Sequence, residues 1–411
     1  MKGSDCPLSG KLPGSTKPTG WLEALLISHL QKQLADCRGH LELMLPSGYR
    51  HRFGSGEPRV AVTLHTYTPL ARLFFGGTNG WSDGYLNGEW DSPNLTELVR
   101  WALLNETALS GMSRVRWIND LLYNLYHWRH SNSRSGSRSN ISAHYDLGNE
   151  FYTLWLDPGM TYSAALFKQP DMPLEEAQAT KYQRIIELLE PRENDQILEI
   201  GCGWGEFALQ ALQQQPLSVH GVTLSTEQLA WAREKLEQAG LGDRGSISLT
   251  DYRDINRQYD EVVSIEMFEA VGQKYWDTFF AKLKGVLKPG GRAVLQIITI
   301  DDGRFEHYSR QADFIQRHVF PGGMLPSVAK LREKFDQHGF RLTHQQMFGR
   351  DYARTLAHWR EAFERNWPAI ADLGFDDRFR RLWNYYLCYC EGGFEERAID
   401  VGLFVLEHQR G

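Results

Sequence analysis

The stretch LEIGCGWGEFAL, residues 198–209, limits the possible folds more than any other part of this chain. An apolar run carrying Glu199 passes through Gly201, Gly203 and Gly205 and then resumes at helical spacing, so it reads as strand, tight turn and helix. Glycines in such a turn leave the backbone bare, and a ligand can come directly against it. The pattern alone does not choose between a dinucleotide site and any other tight turn.

Three details favour a sulfonium nucleoside over NAD. The glycines are spaced G-x-G-x-G, an acid precedes them, and the next predicted strand ends in Thr223 without an acid for a ribose 2′-hydroxyl. Thr223, Leu224, Ser225 and Gln228 follow that strand, where polar groups suit a ribose and an amino-acid tail. Asp251, Tyr252 and Arg253 follow the third, where a carboxylate can accept from an adenine amino group. Each also has a use in its own turn, Ser225 and Thr226 being natural N-caps.

From residue 196 onward, strand-like segments (196–200, 218–223, 246–250, 261–265 and 292–299) alternate with helical ones that include 226–239. Such alternation predicts an α/β fold, a parallel sheet with helices on both faces. Aromatic-rich segments at 301–326 and 350–398 interrupt it and are candidate substrate covers.

At 411 residues the chain exceeds one hydrophobic core, so two domains are expected. A leader at 1–20 precedes a smaller α+β domain over 21–109. Its first helix, at 21–34, spaces Leu22, Leu25, Leu26 and Leu30 along one face, and alternating stretches at 41–45 and 60–64 read as strands. A Gly- and aromatic-rich stretch at 81–90 and a helical pattern at 93–105 complete it. The catalytic domain is expected over 141–411.

Residues 110–140 read as a basic helix and linker, with Arg114, Arg116, Arg129, Arg134 and Arg138 against the single acid Asp120. Trp117, Leu121, Leu125 and Trp128 share one helical face there. Taken alone, this is first a helix packed by its apolar stripe and solvated by its arginines; a phospholipid surface is the alternative partner.

A net charge of −6 gives no overall attraction to nucleic acid, and none is expected as a partner. Five scattered cysteines suit a reducing cytoplasm, the first 20 residues lack a signal-peptide core, and no apolar run is long enough to span a bilayer. Cys388 and Cys390 form a C-x-C pair without further ligands nearby, so no metal is expected.

With these segments in view, the chain resembles the cyclopropane fatty acid synthases of bacterial phospholipids and the related mycolic acid cyclopropane synthases. The matching motifs are SAHYDLGNEFYTLWLDPGMTYSAALF (142–167), LEIGCGWGEFAL, GVTLSTEQLAWA (221–232), SIEMFEAVGQKYWDTFF (264–280), FIQRHVFPGGMLPS (314–327), YARTLAHW (352–359) and YYLCYCEGGF (385–394). The resemblance implies a Rossmann-like class I methyltransferase sheet with helical insertions, S-adenosylmethionine as cofactor, an N-terminal domain over 21–109 that helps engage lipid, and a peripheral enzyme on the cytoplasmic face of the membrane, often a homodimer. It favours the membrane reading of the arginine segment. Tyr162 and Ser163 look like the pair covering the cofactor. Glu199, Gly201, Gly203, Gly205, Thr223, Leu224 and Gln228 look like its contacts, with Asp251, Tyr252 and Arg253 near the base.

The implied reaction moves the sulfonium methyl to a cis double bond of a phospholipid acyl chain, leaves a carbocation, and closes a cyclopropane ring once a base removes a proton. Alignment in a dry cavity and aromatic faces would assist; Phe268, Tyr308, Phe320 and Tyr352 are candidates, each equally able to be core packing. The family base is bicarbonate. Its ligands correspond to Glu269, Tyr352 and Cys390, while Ile298 stands for a histidine and Ala164 for a cysteine. Those two departures open an alternative product, a methyl-branched or methylene chain. A soluble small-molecule methyltransferase and a non-enzymatic lipid-binding module are the competing readings.

Overall fold

The computed structural model describes residue 18, residues 20–110 and residues 147–408. Most of the leader and nearly all of the arginine-rich helix and linker, including Trp117 and Trp128, lie outside the described residues. The chain divides into two compact units, residues 1–115 and 116–411.

The first unit runs α1 (Trp21–Gln33), β1 (Gly39–Met44), β2 (Arg50–Ser55), β3 (Arg59–Leu64), α2 (Thr68–Leu86), β4 (Trp90–Asp91), α3 (Leu95–Leu104) and α4 (Glu106–Ser110). Its sheet has the order β2-β1-β3-β4, with β1 and β3 parallel and the other pairs antiparallel. The expected inner face of α1 needs correction. Glu23, Ile27, Leu30 and Leu34 are the buried stripe, whereas Leu22 and Leu25 are exposed together with Trp21. Apolar residues occur on both sides of this helix, so spacing alone does not pick the inward one, and the Tyr67 hydroxyl donates to the Glu23 carboxylate, letting an acid take an inner position. Helix α2 kinks at Gly77, whose φ of 59° breaks the ladder.

The second unit contains α5 (Asn149–Thr153), α6 (Leu174–Leu189), β5 (Gln196–Ile200), α7 (Glu206–Gln214), β6 (Ser218–Thr223), α8 (Thr226–Gln238), β7 (Gly245–Leu249), β8 (Tyr259–Ile265), α9 (Trp276–Val286) and β9 (Leu287–Ile300). It continues with α10 (Asp302–Tyr308), α11 (Phe314–His318), α12 (Val328–Gln337), β10 (Phe340–Met347), α13 (Gly349–Arg365), α14 (Trp367–Asp372), α15 (Asp377–Glu395) and β11 (Ile399–His408). The seven strands lie in the order β10-β11-β9-β8-β5-β6-β7.

The α/β reading holds, but the sheet is not wholly parallel. Strand β11 starts opposite Ile300, the last residue of β9, and so must run back along it; it is antiparallel to both β9 and β10. The central strands are buried on both faces and carry near-continuous apolar runs, such as Ile197 and Leu198 in β5 and Val262 and Val263 in β8. The carboxyl ends of β5, β6 and β8 therefore open together, where ligands of such sheets bind. Among the described residues no helix is long and apolar enough to cross a membrane.

Candidate active site

The glycine turn is fixed from two sides and open on a third. Gly201 and Cys202 N–H groups both donate to the Val222 carbonyl, at 3.0 and 3.1 Å, folding the turn against β6. Gly201, Gly203 and Gly205 have φ of 82°, 51° and 83°. A Cβ at Gly201 would lie 2.8 Å from Met267 Cγ and one at Gly205 2.8 Å from Ala232 Cβ, whereas one at Gly203 meets nothing within 4 Å. Two glycines thus permit close packing and the middle one leaves room. Behind the turn, burial holds the Glu199 carboxyl well above its usual range, and its Oε2 has no hydrogen-bond partner. A buried carboxyl oxygen without a protein partner, next to an open backbone, suits a polar ligand.

Around this turn the other predicted residues are engaged locally. The Thr223 hydroxyl donates to Gln228 Oε1 at 2.7 Å and accepts from Ser225 N, while Ser225 caps α8. Leu224, between them, is half-buried. Asp251 caps the short turn Tyr252–Asp254 and pairs with Arg253 at 2.6 Å. The Tyr252 ring lies 5.5 Å from that of Phe279, and burial pushes its hydroxyl up to about 12. The capping uses that the sequence left open are realised for Ser225 and Asp251.

Just past β8 lies an acidic centre. Glu266, in a left-handed turn with φ 48°, accepts at Oε1 from Ala164 N (2.8 Å) and Gln296 Nε2 (2.7 Å) and at Oε2 from the Tyr352 hydroxyl (2.6 Å). Glu269 accepts at Oε1 from Ile298 N, while its Oε2 is buried without a partner. Burial first, then repulsion from Glu266, pushes the Glu269 carboxyl up to about 8. The Cys390 thiol is pushed far up by burial, so it remains protonated, and it lies within electrostatic reach of Tyr352 and Tyr386. Glu266, Glu269, Ile298 and Cys390 keep some accessible surface, although desolvation dominates the titration of all three ionisable groups.

The cover segments meet this centre. Met324 N donates to the Glu269 carbonyl at 2.8 Å, and the Phe320 and Tyr386 rings lie 6.2 Å apart. Tyr162 and Tyr386 share a hydroxyl hydrogen bond of 2.9 Å, and Ser163 Oγ accepts from Lys181. Tyr308 accepts from Leu325 N at 3.3 Å. Phe268 sits instead among Trp276, Phe279 and Phe280, a core position, so it is not a cation-facing ring.

Three residues of the site escaped the sequence reading. Glu266 stands three residues before Glu269 in the same motif and was available as a second carboxylate. Gln296 was obscured because the donor at this strand was sought at Ile298, which offers its backbone N–H; the side-chain donor is two residues earlier, on the same face of β9. Lys181 belongs to no motif, and its full burial on α6 follows only from the packing of that helix.

Residues 132–404 match the mycolic acid cyclopropane synthetase family. The chain is 35% identical over 415 residues to tuberculostearic acid methyltransferase UfaA1 of Mycobacterium tuberculosis, covering 96% of this chain and 94% of that protein. It is 36% identical over 346 residues to the cyclopropane-fatty-acyl-phospholipid synthase of Escherichia coli, covering 83% and 85%. The structure of mycolic acid cyclopropane synthase CmaA1 complexed with SAH and CTAB superposes with a TM-score of 0.61 at 30% identity, covering 66% of this chain and 98% of that one. Fold and turn together define an S-adenosylmethionine-dependent methyltransferase of class I. More narrowly, the chain belongs to the mycolic acid cyclopropane synthetase family.

Proposed function

We propose that this protein transfers a methyl group from S-adenosylmethionine to the cis double bond of unsaturated acyl chains in membrane phospholipids and closes it to a cyclopropane ring. The observation that carries the reading is the close approach of Met267 to Gly201, 2.8 Å from where a Cβ would stand, which sets the open glycine turn against the Glu266–Glu269 segment. The names of the relatives, acting on fatty acyl and mycolic chains, support a lipid substrate.

In this reading the cofactor supplies an electrophilic methyl group. Gly203 gives its backbone access, Glu199 and Gln228 meet its polar groups, Asp251, Tyr252 and Arg253 stand at the base, and Tyr162 and Ser163 close over it. The 301–326 segment and helices α13 and α15 exclude water, which an alkene's weak nucleophilicity and the lifetime of a carbocation on the chain both require. Tyr352 and Glu269 face the reacting carbons, with the Cys390 thiol beside them. Approach to the bilayer is peripheral, and the exposed Trp21, Leu22 and Leu25 of α1 suit an interface.

A second reading, a methylene or methyl-branched product, is favoured by Ile298 and Ala164 in place of donor side chains and by the 35% identity to a tuberculostearic acid methyltransferase. Incubation of the purified protein with S-adenosylmethionine and dioleoyl phospholipid vesicles, followed by mass spectrometry of the acyl chains, tests both. A product heavier by one CH2 that opens on hydrogenolysis establishes the ring; one that takes up hydrogen as an olefin establishes the branch. Methylation of small amines without any lipid product would overturn both.

A further inference from the structure

Glu266 follows the last residue of β8 and lies in the left-handed region, where a side chain is strained and glycine is not. A glutamate held at such a position is there for its carboxylate. That carboxylate takes three hydrogen bonds, from Ala164 N, Gln296 Nε2 and the Tyr352 hydroxyl, and has a donor's role toward none of them. Three converging donors favour the ionised form. Burial opposes ionisation, but Lys181 adds a positive charge nearby. Burial leaves both carboxyls above their usual range, Glu269 up to about 8; three donors meet Glu266 whereas only Ile298 N meets Glu269, so of this coupled pair Glu266 is the one built to hold the charge.

We infer that Glu266 is the catalytic base, a carboxylate of the chain itself in the place where an external bicarbonate ion was expected. This rests on the proposed lipid methylation. Ala164 and Tyr352, two of the positions that resemblance assigned to the ion's surroundings, donate to Glu266 instead, and Gln296 gives it its side chain. A second anion there would find these donors occupied and a like charge beside it.

The step balances without any further reactant. The π pair of the alkene forms the new carbon–carbon bond as the methyl–sulfur bond breaks, leaving a cation on the neighbouring carbon. Glu266 accepts a proton from the new methyl group, and the C–H electron pair closes the ring; a proton taken from an adjacent chain carbon gives an olefin by the same base. Glu266 then returns its proton to solvent as product leaves.

The test uses the full chain with S-adenosylmethionine and dioleoyl phospholipid vesicles in carbon-dioxide-free buffer, with and without added bicarbonate. The expected wild-type rate is the same in both, and Glu266→Gln loses about 100-fold or more in kcat with S-adenosylmethionine affinity unchanged by calorimetry. Glu266→Gly relieves the backbone strain, so it should fold; its turnover should be lost and then restored by formate or bicarbonate, which a purely structural role would not allow. Wild-type turnover that requires bicarbonate, Glu266→Gln at the wild-type rate, or a folded Glu266→Gly that neither anion restores would each overturn the assignment. If a variant fails to fold, the wild-type bicarbonate comparison decides. No lipid product from the wild type under any condition would sink the proposed function itself.

Discussion

Lys181 Nζ donates to Ser163 Oγ at 2.7 Å inside the second unit, and the residue after that serine donates its N–H to Glu266. The lysine has no accessible surface. Burial lowers its ammonium to about 7, against the pull of Glu266, Asp157, Glu206 and Glu199. One buried amine thus links Ser163 to the acidic centre and to the acid behind the glycine turn.

Replacing Lys181 by Met removes a charge that favours ionised Glu266. The acidic limb of the pH–rate profile should move to higher pH, and an unmoved limb would count against the coupling. Stability offers a second check. Between about 7 and 10.5 the unfolded chain holds the lysine proton and the folded one does not, so stability from this group rises with pH across that window. Lys181→Met should abolish that rise in chemical denaturation.

Glu269 has the opposite sign. Its folded-state value near 8 exceeds the ordinary 4.5, so its contribution is full below 4.5 and is lost as pH rises through about 8. Glu269→Gln is always neutral. The melting temperature of the variant relative to wild type should climb from pH 4.5 to pH 8; a constant difference would show that Glu269 ionises freely.

At the glycine turn, two substitutions should separate packing from access. Gly201→Ala places a methyl group against Met267 at a positive φ and should cost roughly 2–3 kcal/mol of stability. Gly203→Ala meets no neighbour and should cost about 1–2 kcal/mol for its torsion alone, yet weaken S-adenosylmethionine binding about tenfold or more, equivalent to ~1.4 kcal/mol. Calorimetric affinity equal to wild type for Gly203→Ala would place the cofactor elsewhere.

The outer face of α1 offers a test of membrane engagement. Trp21, Leu22 and Leu25 are 75%, 62% and 63% exposed, so changing all three to Ser should alter folding by roughly 0.5 kcal/mol or less at each. Co-sedimentation with anionic phospholipid vesicles should fall several-fold with S-adenosylmethionine affinity kept. Undiminished sedimentation would assign the lipid contact to another surface.

Local pattern carried much of this protein. The strand–glycine–helix segment at 198–209, the alternation after residue 196 and the N-caps at Ser225 and Asp251 depend on torsions and spacings within a few residues, which a sequence displays directly. The family motifs extended that reading to Glu269, Tyr352 and Cys390 as candidates.

What spacing cannot display is which distant groups meet. Strand β11 reverses because of where the chain re-enters the sheet beside Ile300, and the inward side of α1 depends on Tyr67 reaching Glu23. The partners of Glu266 come from residues 164, 296 and 352, three segments brought together only by the sheet and its C-terminal helices. The sequence by itself therefore determined the cofactor turn and the fold class, through short-range backbone preference. Only the tertiary structure decided which donors meet Glu266 and which oxygen of Glu269 is left without one, because that depends on burial and on hydrogen bonds between segments far apart in the chain.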